Sequence, residues 1–276
     1  MPEASAKPSG NPRLRSLSGR HNPLLKDLRG VYAHGALTED GCYAIEGVRL
    51  MEEAIRSGVK FRAVFFSDSA TVVMDRILQQ IGHKVDVLLV PAKLFKEVVT
   101  SESPQGVAAL VYAEKWSLED ALRGAEPSLL VVSAGLQDPG NLGTILRSAE
   151  AFGVGSILLG EGTVSVHNPK TVRATAGSIF RVPAISVKMA QAIPELREQG
   201  VRLFATSSHK GTPLDQARLV GPSAFFIGNE GAGLPRELEQ QMDEFVTIPQ
   251  TAAVESLNAG VAASIILYEA ARQRRK

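Results

Sequence analysis

Residues 129–148 read Leu129-Leu130-Val131-Val132-Ser133-Ala134-Gly135-Leu136-Gln137-Asp138-Pro139-Gly140-Asn141-Leu142-Gly143-Thr144-Ile145-Leu146-Arg147-Ser148. The opening apolar run is too short for a stable helix and suits a strand buried on both faces. A polar loop follows over 137–143. Residues 142–152 then read as a helix, with Ile145, Ala149 and Phe152 on its apolar face and Arg147 projecting from the other side. Strand, loop and helix in this order form the repeating unit of a parallel α/β sheet.

The same unit recurs downstream. Strands are predicted at 156–159, 182–185, 202–205, 223–227 and 245–248, with helices at 169–178, 190–199 and 235–242. Short apolar strands separated by helices imply a mostly parallel sheet covered on both faces. Upstream, helices at 46–57, 72–81 and 93–99 alternate with strands at 61–66, 85–90 and 106–112, which makes a first, smaller α/β domain over 21–112. The polar stretch 113–127 is expected as a linker to a second domain over 128–276. Residues 1–20, rich in Pro, Ser, Gly and basic side chains, are expected as a disordered basic arm.

Composition narrows the class of protein. Of 276 residues, 44% are hydrophobic and 21% charged, which is ordinary for a globular chain. No apolar run approaches the ~20 residues of a membrane span. No signal-peptide core follows Met1, so no membrane partner and a cytoplasmic location are expected. A mitochondrial transit peptide is disfavoured by Glu3 and by prolines that interrupt an amphipathic helix. The single cysteine, Cys42, excludes an intramolecular disulfide framework, and the five dispersed histidines lack zinc-ligand spacing, so no metal is expected. The net charge of +1 is uninformative about nucleic acid. Basic residues do gather at both ends, from Lys7 to Arg29 and from Arg272 to Lys276, where they serve either as solvated tails or as phosphate contacts.

Three loops, each at the end of a predicted strand, carry the candidate chemistry, since ligands of open parallel sheets bind outside the carboxyl ends of strands. In the first, Arg147 near a helix start suits a phosphate or a hydroxyl, although a solvated arginine would look the same. The second, Phe226-Ile227-Gly228-Asn229-Glu230-Gly231-Ala232-Gly233-Leu234-Pro235, has glycines that permit positive φ and close approach to a ligand. It fits neither a P-loop nor the G-x-G-x-x-G pattern, which disfavours a nucleotide-dependent transferase. Glu230 would repel phosphate and suits a neutral or cationic ligand. In the third, Ile248-Pro249-Gln250 through Glu255-Ser256-Leu257-Asn258, Ser256 and Asn258 open an apolar helix and serve either as caps or as site residues. That helix, expected over 254–273, has Leu257, Val261, Ile265 and Tyr268 in one stripe, with further apolar residues nearly all round. A partner subunit would cover such a surface.

These segments resemble, in order and spacing, the signatures of the SpoU-type (TrmH-like) RNA 2′-O-ribose methyltransferases of the SPOUT superfamily. The motifs are Asn141-Leu142-Gly143-Thr144-Ile145-Leu146-Arg147, Ile227 to Leu234, and Ile248-Pro249 through Asn258, with Asn168 to Ser178 also similar to the family. In the first domain, Asn22-Pro23-Leu24-Leu25-Lys26, Ile45-Glu46-Gly47-Val48-Arg49-Leu50 and Ser103-Pro104-Gln105-Gly106-Val107 resemble a substrate-binding domain similar to a ribosomal RNA-binding protein. The acidic Thr38-Glu39-Asp40-Gly41 departs from the more basic sequence of related proteins.

The resemblance implies a deep trefoil knot in the second domain, an exception to the rule against knots. It also implies S-adenosyl-L-methionine as cofactor, held by Thr206, Ile227, Gly228, Asn229, Gly231, Ile248 and Leu257. The implied catalytic residues are Arg147, with Asn141 and Glu230 holding it, and Ser256 and Asn258 ordering the loop at the reacting ribose. A homodimer through the knot region is implied as well. The implied substrate is RNA, with ribosomal RNA of the large-subunit 23S type favoured over transfer RNA. The alternatives are a tRNA 2′-O-methyltransferase and a non-catalytic RNA-binding protein that retains the fold.

Overall fold

The computed structural model describes residues 13–17, 19–122, 128–251 and 256–275. The chain divides into two compact units between Tyr112 and Ala113. Among the described residues, no helix is long and apolar enough to cross a membrane.

The first unit runs β1 (Leu14–Ser16), α1 (Pro23–His34), β2 (Cys42–Glu46), α2 (Val48–Arg56), β3 (Phe61–Ser67), α3 (Thr71–Leu78), β4 (Asp86–Val90), α4 (Ala92–Val98) and β5 (Val107–Tyr112). Its five strands lie in the order β1-β4-β3-β5-β2, with β1, β4 and β3 parallel and β5 antiparallel to both neighbours. Local chemistry sets the ends of α1. The Asn22 side chain accepts from the Leu24 and Leu25 N–H groups, Pro23 takes the first turn, and Gly35 closes the helix at φ 62°. Leu25, Leu28 and Val31 of α1 pack with Phe65, Leu88 and Leu110 of the sheet.

The arm expected over 1–20 needs correction at 13–16. Leu14–Ser16 forms a strand paired with Val87–Leu89, Arg15 pairs with Asp86, and Arg13 donates to the carbonyls of Ile81 and Gly82 at 2.9 and 2.8 Å. An edge strand of this kind needs only backbone partners, so a polar composition does not prevent it. Residues 1–12 and 18 lie outside the described residues.

The second unit runs α5 (Leu118–Leu122), β6 (Leu129–Ser133), α6 (Pro139–Ala151), β7 (Ser156–Leu159), α7 (Pro169–Ala174), β8 (Ala184–Ser186), α8 (Met189–Glu198), β9 (Arg202–Thr206), β10 (Thr212–Pro213), β11 (Ser223–Ile227), α9 (Arg236–Glu239), β12 (Glu244–Thr247) and α10 (Ala259–Arg274). Its seven strands are parallel throughout, in the order β10-β12-β9-β11-β6-β7-β8. Strand residues alternate between two buried faces. Val131, Ile157, Phe204 and Phe225 pack under α6 and α10, whereas Leu130, Val132, Leu158, Leu203 and Phe226 pack under α8. This mixed α/β architecture, with its mostly parallel sheet, is the expected fold class. The knot expected with it would route the chain between β12 and α10, where residues 252–255 lie outside the described residues.

Helices α6 and α10 are parallel and close. A Cβ on Gly260 would stand 3.1 Å from the Thr144 Cβ, the Ser148 and Ser264 hydroxyls meet at 2.6 Å, and the Phe152 and Tyr268 rings meet edge-to-face with centroids 5.8 Å apart. Each pair is separated by the same number of residues, so the helices keep one register over three turns. Val261 and Ile265 lie away from this contact and remain 46% and 37% exposed, and Tyr268, whose ring meets Phe152 along one edge, is still 53% exposed.

Three expected boundaries shift. Within the expected linker, Ser117 and Asp120 form a capping box, with the Ser117 N–H donating to Asp120 at 2.9 Å and the Asp120 N–H donating to the Ser117 hydroxyl at 3.1 Å, and α5 follows. Helix α7 stops at Ala174, because Ala176 (φ 51°) and Gly177 (φ 103°) turn left-handed. Helix α10 starts at Ala259, where the Asn258 side chain accepts from the Val261 N–H at 3.2 Å.

Gly143 sits where α6 meets α7. A Cβ there would overlap the Ala174 methyl and lie 3.0 Å from the Thr171 carbonyl oxygen. Helix propensity favours Ala over Gly by about 1 kcal/mol, but overpacking costs about 1–3 kcal/mol. The clash therefore wins. Gly143→Ala is expected to lower the urea unfolding midpoint; an unchanged or raised midpoint would show that α7 moves aside freely.

Candidate active site

The carboxyl ends of β9, β11 and β12 open on one cavity of about 570 Å³. Thr206 closes β9, Ile227 closes β11, and Ile248 follows β12; all three line it, as do the turn Gly228–Leu234 and Ser256, Leu257 and Asn258. Ten of the twelve site residues expected from the family resemblance line this cavity. Asn141 and Arg147 are not among the lining residues.

The glycine turn is held by its own backbone. The Asn229 N–H donates to the Gly233 carbonyl, and the Gly233 N–H donates back to the Asn229 carbonyl, each at 3.0 Å. A Cβ on Gly228 would come within 2.6 Å of the Gly233 oxygen and the Leu234 nitrogen, so that glycine is required by loop closure. Only Gly233 of the turn's three glycines has positive φ, at 69°. Asn229 is also committed to structure. Its Oδ1 accepts from the Gly231 and Ala232 N–H groups, and its Nδ2 donates to the Gly135 carbonyl, all at 3.0 Å. The Thr206 hydroxyl likewise donates to the Phe226 carbonyl at 2.9 Å.

Glu230 ties this turn to the first loop. Its carboxylate accepts from the Asp138 N–H at 2.9 Å, the Gln137 N–H at 3.2 Å and the Asn141 amide at 3.0 Å. Burial works against the charged form, but the hydrogen bonds from Asp138, Asn141 and Gln137 outweigh it and hold the carboxyl below the usual glutamate range. The Asp138 side chain in turn caps α6, accepting from the Asn141 N–H at 2.8 Å. The expectation that Asn141 and Glu230 hold Arg147 needs correction. They bind each other, and Arg147, farther along α6, is exposed with no hydrogen bond or ion pair among the described residues. Six residues of helix turn it to a different side from Asn141.

The electrostatics select a cationic ligand. Among the described residues, Glu230 and Glu239 line the cavity and no Lys or Arg does. Lys210 meets Glu239 at 2.9 Å from outside the lining. His209 and Gln250 also line it; neither was singled out from sequence, although both lie just past strand ends. The Gln250 Oε1 is buried with no hydrogen-bond partner among the described residues. Volume, carboxylates and an open acceptor together fit S-adenosylmethionine, a compact cation rich in N–H donors.

Comparison with known proteins agrees. Residues 128–268 match the SpoU rRNA Methylase family, and residues 22–109 match the MRM3-like substrate binding domain. The chain is 30% identical over 255 residues to the 23S rRNA (guanosine(2553)-2′-O)-methyltransferase RlmP of Bacillus subtilis, covering 92% of this chain and 98% of that protein. The AdoMet-bound rRNA methyltransferase of Sinorhizobium meliloti superposes with a TM-score of 0.81 at 28% identity, covering 94% of this chain and 98% of that one. AviRb of Streptomyces viridochromogenes, in complex with AdoMet, superposes with a TM-score of 0.83 at 28% identity, covering 92% and 99%.

The depressed Glu230 carboxyl makes the clasp between the two loops pH-dependent. Its contribution is complete above the ordinary glutamate value of about 4.3 and is lost as pH falls through the lower folded value. The amide proton shifts of Gln137 and Asp138 are expected to titrate with a midpoint below that value, and Glu230→Gln is expected to abolish the titration. A midpoint at or above the ordinary value would contradict the clasp.

Proposed function

The chain belongs to the SpoU rRNA methylase family and is an S-adenosylmethionine-dependent RNA methyltransferase, and from that premise we propose that it methylates a ribose 2′-hydroxyl of large-subunit ribosomal RNA. The observation that carries this reading is the anionic cavity at the carboxyl ends of β9, β11 and β12, with Glu230 fastening it to the helix that bears Arg147. The substrate class is supported by similarity to a 23S rRNA 2′-O-methyltransferase over nearly that protein's whole length. In this reading residues 21–112 bind the RNA and residues 128–276 carry the chemistry.

When bound, S-adenosylmethionine supplies an electrophilic methyl group on a sulfonium. The residues of the chain must then align a 2′-oxygen and let its proton leave. Thr206, Ile227, Gly228, Gly231, Ile248 and Leu257 wall the cofactor, and Asn229 shapes the turn around it. Glu230 and Asn141 fix the start of α6 and, through it, the path of Arg147. A guanidinium with a pKa above 12 is a poor base, so Arg147 orients the hydroxyl and neutralises an adjacent phosphate. Its freedom from internal partners leaves it available for that role. Ser256, exposed at the cavity edge, and Asn258, capping α10, order the loop beside the ribose.

The exposed Val261, Ile265 and Tyr268 stripe is the surface through which two chains pair as a homodimer. Three apolar side chains at i, i+4 and i+7 make one continuous strip on α10. The knot of the family and a cytoplasmic location complete the reading.

Incubation with labelled S-adenosylmethionine and ribosomal RNA is expected to place label in a 2′-O-methylated nucleoside; label on a base would overturn the ribose assignment, and label in transfer RNA alone would overturn the substrate. Arg147→Ala is expected to lower turnover by about a hundredfold or more while the fold is kept. Normal turnover would remove Arg147 from the site. Replacing Val261 and Ile265 together by Glu, which leaves the Phe152–Tyr268 contact intact, is expected to give a monomer by sedimentation; an unchanged dimer would place the interface elsewhere.

A further inference from the structure

Val246, Ile248 and Gln250 all line the cavity. Their spacing of two is that of an extended chain, which puts alternate side chains on one face. β12 and the residues after it thus present two aliphatic side chains and then an amide. The Gln250 Oε1 is buried and accepts no hydrogen bond among the described residues. The two lining side chains that precede it at this spacing, Val246 and Ile248, are aliphatic. Buried amide oxygens in native folds are almost always satisfied, so its donor belongs to whatever fills the cavity.

We propose that Gln250 selects the adenine of the cofactor, its Oε1 accepting a hydrogen bond from the exocyclic amine. This rests on the cofactor assignment above and extends it to a side chain within the third motif to which the resemblance assigns no role. The chemistry of the ligand narrows the donor. S-adenosylmethionine offers three kinds: the adenine amine, the ribose hydroxyls and the α-ammonium group. The ammonium is charged and matches the carboxylates of Glu230 and Glu239, which line the cavity with Gln250. Ribose hydroxyls suit a polar wall. Adenine alone joins a flat apolar face, suited to Val246 and Ile248, to a neutral N–H donor on its edge. A site that pairs an amide with that edge discriminates against a ligand lacking the donor, because the amide oxygen is then left unsatisfied.

The test compares S-adenosylhomocysteine with its analogue in which hydrogen replaces the exocyclic amine. Such an analogue offers neither donor nor acceptor there, so rotation of the amide cannot compensate. Calorimetric binding to the full-length protein is expected to favour S-adenosylhomocysteine about tenfold, the equivalent of one hydrogen bond. In Gln250→Met, of similar length but without the acceptor, the preference is expected to fall to within about twofold, with affinity for the analogue little changed. In Gln250→Glu, which keeps an acceptor, the preference is expected to persist. Because the readout is a ratio within one protein, a general loss of stability does not imitate it. Equal binding of both ligands by the wild type, or an undiminished preference in Gln250→Met, would overturn the role of Gln250 while leaving the cofactor assignment standing. Failure of the folded wild type to bind either ligand would overturn both.

Discussion

The return of α10 onto α6 is the contact on which the second unit depends. Thr144 and Gly260, Ser148 and Ser264, Phe152 and Tyr268 meet in one register, with small residues at the amino end and rings at the carboxyl end. Gly260 and the two serines let the backbones approach; larger residues there would hold the helices apart. To reach α6, the chain leaving β12 must pass the carboxyl ends of the neighbouring strands. The cavity walls at Ile248 and Gln250 and at Ser256 to Asn258 follow from that path. Ile248, Gln250 and Leu257 face the cavity because the helix beyond them is anchored on the far side.

The second constraint is the clasp at Glu230. One carboxylate gathers two backbone N–H groups and the Asn141 amide from a loop about ninety residues upstream. Without it, those donors would be left to solvent and the glycine turn would lose its tie to α6. The turn is otherwise internally closed by Asn229 and Gly233, so its shape and its position have separate causes. Asn229 sets the shape and Glu230 sets the position. Glycine at 228 is demanded by the first of these, since its missing Cβ is where the Gly233 and Leu234 backbone passes.

Much of this was legible from residues. The apolar runs at 129–133, 156–159 and 223–227 became strands with those bounds, because a strand buried on both faces needs an unbroken apolar run and little else. Thr206, Ile227 and Ile248, expected from the family resemblance, all line the cavity at strand ends. Elements stabilised from elsewhere were illegible. β1 is held by β4, more than seventy residues away, and β2, fully buried, ends in Glu46, expected from sequence in the helix over 46–57. Helix α5 had a local signal, the Ser117–Asp120 box, hidden in a polar stretch. The direction of Arg147 was readable from helix period, yet its lack of contact with Asn141 and Glu230 was not, since that depended on Glu230 finding other donors. Gln250 was invisible as a functional group, because its significance lies in an oxygen that only packing shows to be buried.

Charge explains why the cofactor and RNA must be met by different surfaces of this chain. A cavity bearing Glu230 and Glu239, with no Lys or Arg among the described lining residues, suits a sulfonium and repels phosphate. At 4 Å two unit charges near a protein surface interact by roughly 4 kcal/mol at an effective dielectric of 20. A phosphate placed inside would therefore lose more than a hydrogen bond returns. The RNA backbone must meet cations outside the cavity, and the exposed Arg147 on α6 and Lys170 on α7 lie on the two helices that Gly143 brings together. Lys170 stands 3.9 Å from Asp138, the residue that caps α6. The packing of α6 on α7 thus sets cations beside the loop that Glu230 fastens to the cavity. A near-neutral net charge is no obstacle to binding a polyanion when the two signs are sorted in this way.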